Sequence, residues 1–262
     1  MTICIGIKCI DGLVFSSESQ ETREDFNVKR LNSQKLYLLE GSKSIVATAG
    51  TAAFCDKARA YVEKRIAHET NLNIVDEFET GVTLLAHNYI VKRIRLFYDD
   101  KIQGPDLKDF ENWTMPKVNI AMLLGSQEDN SFSLYTLFPE GFAQKEQDFS
   151  AIGSGGSSDL AEYLLGKLYY KSMDVKQGLL LAAFVVQEVK KINPGCGGEI
   201  QLAAMTENIC TIVPPDMRKR ICERAAQISE RMDAALRGVP IKPVDKKEQK
   251  KKGKATKKRL IK

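Results

Sequence analysis

The sequence predicts an α+β fold, a four-layer αββα sandwich in which two antiparallel sheets lie face to face, flanked by helix pairs. Three observations predict it. The spacing of apolar residues changes in blocks, giving strands, two helices, strands, two helices and strands again. The links between successive strands are of hairpin length, which favours antiparallel sheets over a parallel βαβ arrangement. Every sheet face and helix stripe then needs cover, and two facing sheets with helices outside cover all of them.

The chain opens with a hairpin. Ile3, Ile5, Ile7 and Cys9 alternate with Cys4, Gly6 and Lys8, so the first strand begins at residue 2. Asp11-Gly12 follows, a pair that tolerates the positive φ angles of a tight turn, and Leu13-Val14-Phe15-Ser16-Ser17 forms the second strand. A second pair of strands is predicted at Lys35-Leu36-Tyr37-Leu38-Leu39 and Ser44-Ile45-Val46-Ala47-Thr48, joined by Glu40-Gly41-Ser42-Lys43. After Ala49-Gly50-Thr51 the period becomes helical. Phe54, Ala58, Tyr61, Val62 and Ile66 share one face, and Phe78, Val82, Leu85 and Tyr89 mark a second helix.

Strands resume over 118–124, 132–137 and 149–152. Ile152-Gly153-Ser154-Gly155-Gly156 makes a tight loop, and Ser157 or Ser158 caps a helix reaching about Lys171. Another helix runs from about Val175 to Ile192 and stops at Asn193-Pro194-Gly195. Strands over 199–205 and 208–213 lead to Pro214-Pro215 and a charged helix that ends at Gly238. The expected organisation is one domain over residues 1–236, including that helix, followed by a basic, disordered tail over 237–262.

Composition narrows the function. Of 262 residues, 43% are hydrophobic and 28% charged, which is ordinary globular usage. No apolar run approaches the ~20 residues of a bilayer span, and the start lacks the basic region of a secretory signal, so a cytoplasmic protein is expected. The net charge of +5 is unevenly spread: residues 237–262 hold 12 Lys/Arg against 2 Asp/Glu, leaving a mildly acidic body at −5. The tail has too few apolar residues to offset its ordering entropy. A solubilising or targeting role is preferred for it over an electrostatic contact with nucleic acid, anionic lipid or an acidic partner, and no aromatic residue interrupts its lysines to stack on bases. Six scattered cysteines without a Cys-x-x-Cys pair, and two distant histidines, His68 and His87, argue against a zinc site. No metal and no cofactor are expected.

The templates for nucleophilic catalysis that need histidine are absent. What remains is a nucleophile that carries its own base. Removal of Met1, expected before a residue as small as threonine, gives Thr2 a hydroxyl and a free α-amine. Such an amine has an unperturbed pKa of ~7.7–8.0 and accepts a proton near neutrality. Taken singly, each candidate also has an ordinary reading. Thr2 can be a plain strand residue, Lys35 a solvated side chain, Glu18 a surface charge, Gly50 a helix-entry turn, and Asn193 and Cys196 a helix stop and a buried thiol.

The start Thr2-Ile3-Cys4-Ile5-Gly6-Ile7-Lys8, the hairpin, Ser33-Gln34-Lys35-Leu36, Ala49-Gly50 before a helix, Ile152-Gly153-Ser154-Gly155-Gly156 and Cys196-Gly197-Gly198 before a strand together resemble a β-type proteasome subunit. The similarity spans about residues 2–213 and is nearest to the propeptide-free branches, the HslV peptidase and the ancestral, Anbu-like homologues. It implies an N-terminal nucleophile hydrolase in which Thr2 attacks peptide amide bonds. Lys35 then takes the place of the lysine beside the threonine, Gly50 that of the oxyanion-binding glycine, and Ser154 that of the serine assisting the amine. Three positions depart from the family pattern: Glu18 replaces an aspartate, and Asn193 and Cys196 replace an Asp-x-x-Ser pair that orients the terminal threonine. Those departures motivate a second reading, a catalytically inert scaffold of the same fold, and a third reading is a non-proteolytic amidohydrolase or transpeptidase. The resemblance further implies a peptide or unfolded-protein substrate and self-assembly into a ring or stacked homo-oligomer, and it leaves room for an ATPase regulator. Thr48 and Ala49 fall near the specificity pocket, which is expected to be small to medium and fairly polar.

Overall fold

The computed structural model describes residues 2–23, 28–69, 72–99, 119–128, 131–153 and 156–238. Met1, Ser154, Gly155 and residues 239–262 of the expected tail lie outside them. The chain divides into two compact units, residues 1–226 and residues 227–262.

The first unit is built on two five-stranded antiparallel sheets. One contains β1 (Ile3–Cys9), β2 (Gly12–Glu18), β10 (Phe149–Gly153), β11 (Ile200–Thr206) and β12 (Cys210–Ile212), in the order β10-β1-β2-β11-β12. The other contains β5 (Leu36–Leu39), β6 (Ser44–Gly50), β7 (Ile120–Glu128), β8 (Ser131–Leu137) and β9 (Ala143–Glu146), in sequence order. A small ladder, β3 (Glu21–Arg23) with β4 (Val28–Arg30), stands apart from both.

Helices α1 (Ala52–His68) and α2 (Ile74–Asp99) pack on β6, β7 and β8. Helices α3 (Gly156–Leu168) and α4 (Val175–Ile192) pack on β10, β1, β2 and β11. The predicted four layers are therefore present. The last helix, α5 (Pro215–Leu236), begins in the first unit and ends in the second.

Strand alternation sorts the core. Ile45, Ala47, Ala49 and Leu123 point between the sheets with Cys4, Leu13, Phe15 and Met205. Val46, Met122 and Leu124 point the other way, onto Ala58, Val62, Phe78 and Val82 of α1 and α2. On the opposite side α4 starts with a capping box. Asp174 accepts from the Gln177 backbone N–H at 2.8 Å, and the Asp174 N–H donates to the Gln177 side chain at 3.0 Å.

The first hairpin corrects the sequence reading by one residue. Cys9 pairs with Gly12, so the turn is Ile10-Asp11 rather than Asp11-Gly12. Packing overrides the turn preference, because a Cβ at Gly12 would lie 1.9 Å from the Met205 carbonyl oxygen of β11. Asp11 is freed for another task and accepts the Val175 N–H at the head of α4, at 2.8 Å. The sequence reading also missed β3, β4 and β9, which are three or four residues long and carry little periodicity.

Candidate active site

Antiparallel register brings several of the predicted residues to one end of the first sheet. Cys4 of β1 lies opposite Ser17 of β2, so the start of β1, at Thr2, and the end of β2, at Glu18, are neighbours. Glu18 lies opposite Ile200, which draws the segment before β11 to the same place. Lys35 comes from the other sheet, just ahead of β5, where its carbonyl accepts from Thr48 of β6 at 3.0 Å.

Lys35 is the centre of this arrangement. Its ammonium donates to Thr2 Oγ1 at 2.9 Å, to the Gln20 carbonyl at 2.5 Å and to the carboxylate of Glu18, with which it forms an ion pair. An ammonium has three N–H groups, and each has an acceptor. Lys35 is 6% exposed and Glu18 0%. Burial of this kind is tolerated because charge and hydrogen bonds are matched. The other oxygen of Glu18 accepts the Gln20 N–H at 2.6 Å and the Gly197 N–H at 3.2 Å. The extra methylene of Glu18 relative to the family aspartate therefore does not prevent contact with Lys35.

Asn193 and Cys196 occupy the loop between α4 and β11. Asn193 ends α4, its side-chain oxygen accepts the Gly195 N–H at 2.9 Å, and its carbonyl accepts the Cys196 N–H at 3.0 Å. Cys196 is buried. Gln20 ties this loop to β2 by donating to the Gly195 carbonyl at 2.9 Å. Ser154 lies outside the described residues.

Thr2, Lys35 and Gly50 line one cavity of about 220 Å³, together with Thr48, Ala49 and Cys55. Gly50 closes β6 at φ +107°, and a Cβ there would meet the Asn119 carbonyl oxygen at 2.4 Å, so this position requires glycine. Directly beyond it, α1 begins at Ala52, and a helix N-terminus presents unsatisfied N–H groups and positive potential.

Neighbouring thiols are poor rivals to the hydroxyl. Burial pushes Cys4 and Cys55 up to about 12, and the Lys35 ammonium only partly offsets that effect at Cys4. Both remain protonated near neutrality, and a protonated thiol is a weak nucleophile. Among the described residues no group of three His, Cys, Asp or Glu side chains is placed to hold a metal ion.

Sequence reasoning missed Gln20 and Gln201, and it named Gly197 only within the Cys196-Gly197-Gly198 motif, without its contact to Glu18. Gln201 of β11 accepts the Lys35 N–H at 2.9 Å and donates to the Ser33 carbonyl at 2.8 Å, clamping the backbone on both sides of Gln34. No local motif marks Gln20 or Gln201. Only the β2–β11 register, with Glu18 opposite Ile200, identifies them.

The two sheets, their flanking helices and a threonine heading the first strand define the N-terminal nucleophile hydrolase fold. A structure with this architecture, an Anbu (Gly-1) mutant from Hyphomicrobium sp. strain MC1, superposes with a TM-score of 0.66 at 13% identity, covering 93% of this chain and 100% of that one. The family model described as proteasome subunit matches residues 109–205. Proteasome subunit beta of Methanosarcina thermophila is 25% identical over 219 residues, 82% of this chain and 91% of the relative. The subunit of the same name from Ferroglobus placidus is 25% identical over 227 residues, 85% and 95% of the two chains. By these matches the present chain is similar to β-type proteasome subunits, as the motifs of its sequence led one to expect.

Proposed function

We propose that the chain is a threonine peptidase whose nucleophile is Thr2 Oγ1 and whose base is the α-amine of the same residue, freed by removal of Met1. The observation that carries this reading is the 2.9 Å hydrogen bond from Lys35 Nζ to Thr2 Oγ1, made by an ammonium whose other protons are held by Glu18 and Gln20.

In this reading Lys35 remains a cation and takes no proton from Thr2. It stabilises negative charge on Oγ1 and disfavours a second positive charge on the nearby amine, keeping that amine basic. The amine takes the hydroxyl proton, directly or through water, as Oγ1 bonds to the substrate carbonyl carbon. The Gly50 N–H receives the oxyanion at the start of α1. The proton then passes to the departing amine as the C–N bond breaks, leaving an ester on Thr2. Water, deprotonated by the same amine, hydrolyses the ester and restores the hydroxyl. Glu18 fixes Lys35, Ser154 assists the amine, and Asn193 and Cys196 take the threonine-orienting positions. The scaffold reading rests on those last two residues, which offer weaker hydrogen bonding than the pair they replace.

The family resemblance extends the proposal to unfolded-protein substrates, a ring or stack of copies, an ATPase regulator and a cytoplasmic setting. Turnover of fluorogenic peptides by the purified full chain tests the chemistry. Thr2→Ala is expected to abolish it, and activity that survives this change contradicts the mechanism.

A further inference from the structure

We infer that the cavity beside Thr2 receives a cationic side chain, that of the lysine or arginine immediately preceding the bond to be cut. This deepens the peptidase reading and rests on it. Glu21 and Asp56 line the cavity along with Thr2. The cation in its wall, Lys35, is neutralised by Glu18. Cys55 adds no charge, since its thiol is pushed up to about 12 by burial.

Asp56 lies on α1 with 59% of its side chain exposed. Arg59, one turn further on, neutralises it only loosely. Its guanidinium donates to Glu63 at 2.7 Å, sits 4.4 Å from the centre of the Tyr37 ring and comes no nearer to Asp56 than 3.7 Å. The Asp56 carboxylate therefore retains acceptor capacity, and Asp56 lines the cavity.

Shape points the same way. At about 220 Å³ the space is smaller than the ~300–1,000 Å³ typical of pockets for drug-sized ligands, and it matches one substrate side chain. Ala49 and Ala52 leave room in the wall, and the half-buried Tyr37 ring offers an apolar surface to an aliphatic stem that ends in a charge. Glu21 accepts from Ser33 Oγ at 2.8 Å, so the carboxylate that an acidic side chain entering here would meet is that of Asp56.

The test compares kcat/KM of the full-length protein on four peptides that differ only in Arg, Lys, Leu or Asp before the cut bond. Thr2 labelling by a leucine-bearing epoxyketone is measured in parallel. Arg and Lys peptides are expected to be preferred, and Asp56→Asn to lower the Arg-to-Leu ratio roughly fivefold, the value of an exposed ion pair of about 1 kcal/mol. Asp56→Lys is expected to shift preference towards the Asp peptide. If Thr2 is labelled but Leu peptides are cut as fast as Arg peptides, or the ratio ignores both substitutions, the cationic subsite is overturned and the nucleophile stands. If no peptide is cut and Thr2 resists the label, the peptidase reading falls and the subsite with it.

Discussion

Lys35 and Thr2 lead into strands of different sheets, yet the lysine ammonium donates to the threonine hydroxyl across 2.9 Å. The contact depends on Glu18, because a lysine that is 6% exposed needs a paired anion to remain charged. Removing the cation alone leaves a carboxylate that is 0% exposed without its partner. Lys35→Ala is therefore expected to destabilise the protein by about 3–5 kcal/mol, measured by urea unfolding. Lys35→Met combined with Glu18→Leu is expected to recover most of that loss while remaining inactive. A double variant as unstable as Lys35→Ala contradicts the buried-pair account.

Gln201 clamps the backbone around Lys35 without touching Thr2 in any contact described above. Replacement by leucine leaves the Lys35 N–H and the Ser33 carbonyl without this partner, at about 1–3 kcal/mol for each group that stays buried. As a positioning residue, Gln201 is expected to affect kcat more than KM when replaced. Steady-state kinetics and a urea titration on Gln201→Leu check both effects. A variant with unchanged kcat and raised KM assigns Gln201 to substrate binding instead.

Two glycines are expected to respond in opposite directions to a single methyl group. At Gly12 the added Cβ would sit 1.9 Å from the Met205 carbonyl oxygen, so Gly12→Ala forces β2 and β11 apart. At Gly166, inside α3, the nearest atom is Phe149 Cζ at 3.9 Å, an ordinary contact. Alanine there is expected to raise stability by about 0.5–1 kcal/mol through helix propensity. Thermal unfolding of both variants gives the comparison, and a stable Gly12→Ala protein contradicts the β2–β11 register.

Alkaline pH is expected to weaken the fold through its buried thiols. Cys4 is raised from 9.0 to about 12 by burial, and Cys55 likewise. Between those values the folded protein holds thiol protons that the unfolded chain has released, so stability falls as pH rises. The slope is about 1.4 kcal/mol per pH unit for each thiol. Urea midpoints measured from pH 8 to 11 on wild type and Cys4→Ala test this. The variant is expected to show a shallower decline, and an identical slope rules Cys4 out as a contributor.

The layers were legible in the sequence because they follow from periodicity. Ile45, Ala47 and Ala49 alternate with Val46, and the structure uses both faces of that strand as alternation requires. The first turn was misread because Asp11-Gly12 has strong local chemistry, whereas its position is decided by the approach of Met205, nearly two hundred residues away in sequence. The same limit applies at the site. Thr2, Glu18, Lys35 and Gly50 are carried by motifs, and the structure brings the first three into one hydrogen-bonded chain. Gln20 and Gln201 act on backbone groups of distant segments, and neither composition nor spacing marks a residue whose role is to hold another.

The central claim is that Thr2 carries both the nucleophile and its base. An epoxyketone closes a ring only with a hydroxyl and a free amine on the same residue, so the intact mass of the purified protein before and after treatment tests that claim most directly. The account predicts a chain lacking Met1 that gains one probe per subunit, mapped by fragmentation to Thr2. A chain that keeps Met1 and gains nothing, in a protein that is folded by calorimetry, contradicts it.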